Sequence, residues 1–332
     1  RPQRRHTGRD HGASTHRRLR GGRIYQNGAC CAPFLHSCLR SRMIWQTARF
    51  AMDLSRPRIM GIVNATPDSF SDGGLHATAT AALRHCEQLL LDGADMLDIG
   101  GESTRPGSPA VPLDEELARV LPVVREAVRL GVPVSVDTYK PEVMRQVLDL
   151  GADIINDIWA LRQPGAAAVV AAHPSCGVCL MHMHRDPQTM QVAPMDGDGV
   201  PHVLSFLEHS AHDLRALGVE KSRIVLDYGI GFGKSVAQNF ALLARQSELL
   251  ALGYPLLAGW SRKSSLGAVT GLDVSERLQP SVAAALLAVE RGARVVRVHD
   301  VRETAQSLAV WQAMHQQDRS DRNTHNNEEN PA

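Results

Sequence analysis

Arg58-Ile-Met-Gly-Ile-Val-Asn64, continued by Ala65-Thr-Pro-Asp-Ser-Phe-Ser-Asp-Gly-Gly74, decides how this chain folds. The apolar run 59–63 reads as a buried strand. At Asn64 it breaks into polar residues punctuated by Pro and Gly, too many for a tight turn. A buried strand that hands a polar residue to a long loop is how α/β proteins present chemistry at a strand's carboxyl end.

The same unit recurs down the chain. Strands are expected at 58–64, 95–100, 133–137, 154–157, 177–183, 223–227, 256–260 and 294–299. Helical patterns lie between them, at 78–92, 114–130, 141–150, 165–172, 200–217, 237–251, 275–291 and 301–315. Asp114-Glu-Glu116 puts acids in a first turn, and Pro141 sits near a helix start. Gly93, Gly131, Gly151, Gly218, Gly253 and Gly292 each follow an apolar periodic run and precede a strand, as helix stops do. Eight βα units in a row predict a single-domain α/β fold, the (β/α)8 TIM barrel. An open doubly wound sheet is the alternative. It loses weight because no G-x-G-x-x-G follows the first strand, and Gly229-x-Gly231-x-Gly233 has the wrong spacing.

The ends differ from this body. Residues 1–42 carry ten Arg and one acid, a charge of +9, so the remaining chain is −8 against an overall +1. A mildly acidic body gives no electrostatic case for nucleic acid as a partner. The basic leader reads as a tail for nucleic acid or membrane, as a transit-like segment, or as sequence upstream of the native protein. Met43 before Ile44-Trp45 favours the last, and 1–42 is expected to be disordered. The barrel is assigned to 43–316, and the polar stretch 317–332 is expected to be a disordered tail. Three of the six Cys fall in the leader. Cys86, Cys176 and Cys179 remain, which suits a reducing, cytoplasmic setting rather than a disulfide framework. No run approaches the length of a membrane span.

Polar residues gather at the strand ends: Asn64, Asp98, Asp137, Asn156, His182, Asp227, Ser261, Arg297 and His299. In a barrel these ends converge on one face. Gly101-Glu-Ser-Thr104-Arg105-Pro106-Gly107 offers hydroxyls and a guanidinium for an anion. Asp137 and Asp227 read as paired acceptors for a planar ligand bearing N–H groups, or, for Asp137, as a helix cap. Asn156 can both donate and accept. Ser261-Arg-Lys263-Ser and Arg297-Val-His299-Asp follow the last two strands, where barrels bind phosphate. Cys176-Gly-Val-Cys179 with His173, His182 and His184 invites a zinc reading. Alternation along the strand opposes it, because Cys179 and Met181 point one way and His182 the other.

On these motifs the chain resembles dihydropteroate synthase, the folate-pathway enzyme inhibited by sulfonamides. The resemblance runs from about Arg58 to Val301. It is carried by the stretch from Asn64 to Gly74, Gly100 to Gly107, Ser135-Val-Asp-Thr138, Asn156-Asp-Ile158, Leu180-Met-His-Met183, Gly231-Phe-Gly-Lys234, Ser261-Arg-Lys-Ser264 and Arg297-Val-His-Asp300. The resemblance implies a transferase joining 6-hydroxymethyl-7,8-dihydropterin pyrophosphate to 4-aminobenzoate with release of pyrophosphate. Another pterin-binding barrel, such as a methyltetrahydrofolate methyltransferase, is the alternative, but it has no use for the Asn64 loop or the Ser261-Arg-Lys segment. By matching positions the resemblance implies that Asp137, Asn156, Asp227 and Lys263 hold the pterin and that Met181 and Phe232 line its pocket. It implies Mg²⁺ at Asn64, the leaving group at Arg297 and His299 with Thr104 and Arg105 reaching in, and an aminobenzoate site shaped by Phe70, Pro106 and Ser261. It also implies a homodimer. One departure stands out. The family usually has Asp-Pro-Gly where this chain has Asp227-Tyr228-Gly229, which puts the rigidity of that loop in question.

Overall fold

A computed structural model describes residues 43–66, 74–104, 107–186, 189–190 and 194–328. The leader 1–42 and the site candidates Phe70, Arg105 and Pro106 lie outside the described residues.

The chain opens with an antiparallel hairpin, β1 (Ile44–Gln46) and β2 (Ala51–Asp53), with Trp45 opposite Met52. Eight parallel strands then close into a barrel. They are β3 (Arg58–Asn64), β4 (Met96–Gly100), β5 (Val134–Asp137), β6 (Ile154–Asp157), β7 (Gly177–Met181), β8 (Ile224–Asp227), β9 (Leu256–Ala258) and β10 (Val295–Val298). Each pairs with its sequence neighbour, and β10 returns to both β9 and β3. The expected strands hold, trimmed by a residue or two at their ends.

Side chains alternate along a strand, so each barrel strand sends every second residue inward. The inward residues near the strand starts are apolar. Met60, Met96, Ile154, Cys179, Val225, Leu257 and Val295 form one buried cluster. Trp45, Met52 and Leu54 of the hairpin segment join it, and the Trp45 Nε1–H donates to the Arg223 carbonyl at 3.0 Å. The hairpin therefore plugs the amino-terminal end. Two residues further along, four of these strands turn polar at the inward position, at Asp98, Asn156, Asp227 and Arg297, with Asp137 beside them on β5. One period of two thus builds a closed floor below and a chemical mouth above.

The outward residues pack beneath the helices, in a larger cluster that includes Val63, Leu97, Ile99, Val136, Ile155 and Val178. These helices are α1 (Gly74–Leu91), α2 (Leu113–Ala127), α3 (Pro141–Asp149), α4 (Ala166–Ala172), α5 (Gly199–Ala216), α6 (Val236–Ala244), α7 (Gln246–Leu250), α8 (Ser264–Thr270), α9 (Leu278–Glu290) and α10 (Val301–Glu328). The helix expected over 237–251 breaks at Arg245 into α6 and α7. A capping box, Ser235 with Gln238, starts α6. Short α8 is not among the helices expected from periodicity, although 259–265 carries the residues of a helix start. Helix α10 runs on into the polar stretch from 317, as far as Glu328. Val301, Thr304 and Leu308 anchor its start in the core, and an anchored helix gains one hydrogen bond for each residue added. Among the described residues no helix is long and apolar enough to cross a membrane.

Candidate active site at the barrel mouth

The carboxyl ends of the strands surround a cavity of about 510 Å³. Eleven side chains singled out in the sequence line it: Asn64, Thr104, Asp137, Asn156, Met181, Asp227, Phe232, Ser261, Lys263, Arg297 and His299. They come from all eight strands or the loops that follow them, which a barrel alone brings together.

The inner wall of this cavity is lined by ionisable groups. The Arg297 Nε–H donates to Asp98 Oδ2 at 2.6 Å and its Nη2–H to Asp137 Oδ2 at 2.7 Å. The Asn156 Nδ2–H donates to Asp98 Oδ2 at 3.1 Å. Burial pushes the Asp137 carboxyl up to about 7, against the pull of Arg297, while Asp98 adds to the push. Burial also raises Asp227, opposed by the Gly229 N–H, which donates to its Oδ1 at 2.7 Å, and by Lys263. Burial tends to lower the Arg297 guanidinium, but Asp98 and Asp137 outweigh it, so this cation stays charged. Lys263 is driven down to about 8 by burial and by Arg297. Its Nζ stands 4.2 Å from the centre of the Phe232 ring, a cation–π contact.

A second pair closes the far side. Ser261 Oγ lies 2.9 Å from His299 Nδ1 and accepts the His299 backbone N–H at 3.1 Å. Burial, with Arg262 and Arg297, pushes the imidazole down to about 3, so His299 is neutral near pH 7. Arg262 and Arg277 stand at the rim, Arg262 held by Asp300 at 2.5 Å.

The loop from Asp227 to Ser235 is built around a buried ammonium. Lys234 Nζ donates to the carbonyls of Gly229, Phe232 and His182 at 2.7, 3.2 and 3.3 Å. Gly229 is at φ +66, and a Cβ there would lie 1.9 Å from the His182 carbonyl oxygen, so only glycine fits. Tyr228 is fully buried, and its hydroxyl donates to Gln246 Oε1 at 3.0 Å. The Gln246 Nε2–H in turn reaches the Ala288 carbonyl at 2.9 Å. Where a proline would stiffen the loop through φ, this chain ties it to α7 and α9 through a side chain. Tyr228→Phe should therefore cost about 1–2 kcal/mol by leaving Gln246 Oε1 unpaired. An unchanged melting temperature in calorimetry would refute the tether.

Cys179 belongs to the floor beneath the mouth, and Met181 lines the cavity above it. His182 turns outward to stack edge-on against Phe206 at 4.9 Å. The Cys176 Sγ receives the Arg223 Nη2–H at 3.2 Å. These sulfur and imidazole groups serve different neighbours.

Three polar residues at or near the mouth escaped the sequence reading of the site. Asp98 was visible as a strand-end acid but was not placed in the site. Glu102 lines the cavity and accepts from Tyr139 Oη at 2.9 Å and Lys140 Nζ at 2.6 Å, which pins the second loop to the third. Lys234 closes the Gly231-Phe-Gly-Lys motif, which by itself assigns it no role. Nothing in a single sequence says that it points inward, because lysine is seldom buried.

Residues 60–299 match the family described as pterin binding enzyme. The dihydropteroate synthase of Neisseria meningitidis serogroup B is 50% identical over 280 residues, covering 82% of this chain and 98% of that protein. Among solved structures, the dihydropteroate synthase of Xanthomonas albilineans with 4-aminobenzoic acid is 50% identical, with a TM-score of 0.78 over 83% of this chain and 99% of that one. The enzyme of Burkholderia cenocepacia complexed with 7,8-dihydropteroate is also 50% identical, with a TM-score of 0.77 over 84% of this chain and 99% of the other.

Proposed function

This chain belongs to the pterin-binding enzyme family, within the dihydropteroate synthases, and from that premise we propose how its barrel mouth joins a dihydropterin to an arylamine. The reaction condenses 6-hydroxymethyl-7,8-dihydropterin pyrophosphate with 4-aminobenzoate to give 7,8-dihydropteroate and pyrophosphate. It is a transferase reaction of folate biosynthesis, not the methyl transfer weighed as the alternative. The observation that carries the reading of the site is the gathering of eleven motif residues around one cavity.

The floor holds three carboxylates, Asp98, Asp137 and Asp227, against two cations, Arg297 and Lys263. That set of acceptors suits a flat heterocycle whose edge donates N–H bonds and whose methylene becomes cationic. Asp137, Asp227 and Asn156 take the ring edge, Lys263 a ring acceptor, and Met181 and Phe232 the faces. The C–O bond to the diphosphate breaks with its electron pair on the leaving oxygen. The positive charge left behind spreads into the ring, beside Asp137. The arylamine lone pair then forms the C–N bond, and the proton on that nitrogen leaves to a diphosphate oxygen. Arg297 meets the departing anion as a charge and neutral His299 as a donor. Thr104 and Arg105 approach from the second loop. Ser261, with Phe70 and Pro106, shapes the place of the arylamine, and positioning is the main requirement there because an aniline nitrogen is already nucleophilic.

The donor set fits Mg²⁺ only as an ion shared with substrate. Asn64 lines the cavity and has one side-chain oxygen to give, and among the described residues no group of three or more His, Cys, Asp and Glu could hold a metal. Mg²⁺ keeps few protein ligands and leans on phosphate oxygens. When bound, it supplies neutralisation of the leaving diphosphate.

Two further readings complete the proposal. Leu287 on α9 and Val310 and Met314 on the adjoining α10 are exposed apolar residues that support a homodimer through this face. A monomer in analytical ultracentrifugation would remove that reading. The buried, unpaired thiols Cys86, Cys176 and Cys179 support a cytoplasmic setting, which a periplasmic or secreted location in fractionated cells would refute. The function itself is tested by incubating the protein with the dihydropterin pyrophosphate, labelled 4-aminobenzoate and Mg²⁺. Labelled dihydropteroate should form, and none should form when the pterin diphosphate is omitted.

A further inference from the structure

We propose that Asp98 is a positioning residue: it fixes which end of the Asn156 amide and which edge of the Arg297 guanidinium face the ligand, and so makes the floor select heterocycles that present N–H donors. The inference rests on the reading of this cavity as a pterin site.

Asp98 is fully buried on β4 and does not itself line the cavity. Its Oδ2 accepts two bonds at once, from Arg297 Nε at 2.6 Å and from Asn156 Nδ2 at 3.1 Å. An amide reads as donor or acceptor depending on which end it shows. The bond to Asp98 Oδ2 holds the NH₂ end of Asn156 toward Asp98. Its carbonyl oxygen is then the end left for the ligand. With Asp137 and Asp227 it makes three acceptors on one floor. The second Asp98 oxygen, Oδ1, is buried with no hydrogen-bond partner among the described residues. A buried acceptor without a partner costs stability, so stability alone does not account for an acid here.

Asp98 also acts through charge. It shares Arg297 with Asp137, whose carboxylate faces Arg297, Asp98, Asp157, Glu116 and Lys263. Removing the Asp98 charge lets Asp137 remain ionised to lower pH. Because Asp137 must be ionised to accept from the ring, pterin binding fails as pH falls through the Asp137 value. That acid limb should move to lower pH when Asp98 is neutral.

The test is calorimetric binding of 6-hydroxymethyl-7,8-dihydropterin from pH 5.5 to 8.5. In Asp98→Asn the amide oxygen can still accept but carries no charge, and its NH₂ is left buried without an acceptor, so affinity should fall about 10- to 100-fold at pH 8. The acid limb should move down by about one pH unit. Asp98→Glu keeps the charge but displaces it, so affinity should fall with the limb unmoved. Parental affinity in Asp98→Asn, or lost affinity with an unmoved limb, overturns the proposal. If neither variant folds, the unaltered chain answers instead. One Asn156 Nδ2 proton should exchange slowly with solvent by NMR, and exchange at the rate of a surface amide overturns the assignment. Failure of the unaltered chain to bind the pterin would sink the site reading itself, whereas normal binding by both variants would sink only the role of Asp98.

Discussion

Asp137→Ala should lower turnover by about 10³-fold while leaving the fold intact. Asp137 ends β5 at the centre of the floor, with Oδ2 on Arg297 at 2.7 Å. A carboxylate there gains most when the ring becomes cationic, so its loss weakens the transition state more than the bound substrate. The pyrophosphate leaving step should slow more than pterin binding weakens. Stability should move the other way. Burial holds the Asp137 carboxyl at about 7, above the ordinary carboxylate range. The native state therefore binds a proton that the unfolded chain has already released. Stability due to this group is greatest near pH 4 and is lost as pH rises through 7. Asp137→Asn removes that burden, so at pH 8 the ligand-free variant should be more stable than the parent by on the order of 1–3 kcal/mol. The gain should fade toward pH 4. Turnover within tenfold of the parent would remove Asp137 from the mechanism. A stability loss at pH 8 would mean that its charge is better compensated than the geometry implies.

The fold was legible because two periods run through the sequence without interference. Eight apolar runs of four to seven residues alternate with helical patterns, and the glycines at 93, 131, 151, 218, 253 and 292 mark six of the seven returns to the sheet. The mouth was legible because strand-end polar residues are costly unless a ligand or partner meets them. Less legible were the parts whose meaning depends on distant partners. Trp45 and Met52 look like any apolar residues near a chain end, and nothing local says that they stop the barrel's lower opening. Helix α8 is seven residues, too short for its period to show. Lys234 looks like a surface lysine until three carbonyls converge on it. Asp98 looks equivalent to Asp137 in sequence. Only the geometry separates an acid that lines the cavity from one that stands behind it.

Arg297→Met should be the most damaging single change at this mouth, for stability as well as activity. Arg297 is the one cation bonded to both Asp98 and Asp137 among the described residues. Removing it leaves two buried acids facing each other across the space it filled. Stripping one partner from a buried charge pair costs about 3–5 kcal/mol, far more than a surface pair. The sign with pH follows from which group is relieved. Without the guanidinium the Asp137 carboxyl climbs further, since burial and Asp98 both raise it and their main opponent is gone. Protonation then eases the repulsion, so the deficit should be largest at pH 8 and should shrink toward pH 5. Turnover should fall by about 10²–10³-fold if, as proposed, the guanidinium meets the departing diphosphate. Adding Asp137→Asn to Arg297→Met should restore much of the stability and none of the activity. That pattern would separate the observed service of the guanidinium, holding Asp98 and Asp137 together, from its proposed one at the leaving group. If melting temperatures of the single variant at pH 5 and pH 8 differ from the parent by the same amount, the buried carboxylates are not what the guanidinium holds in check.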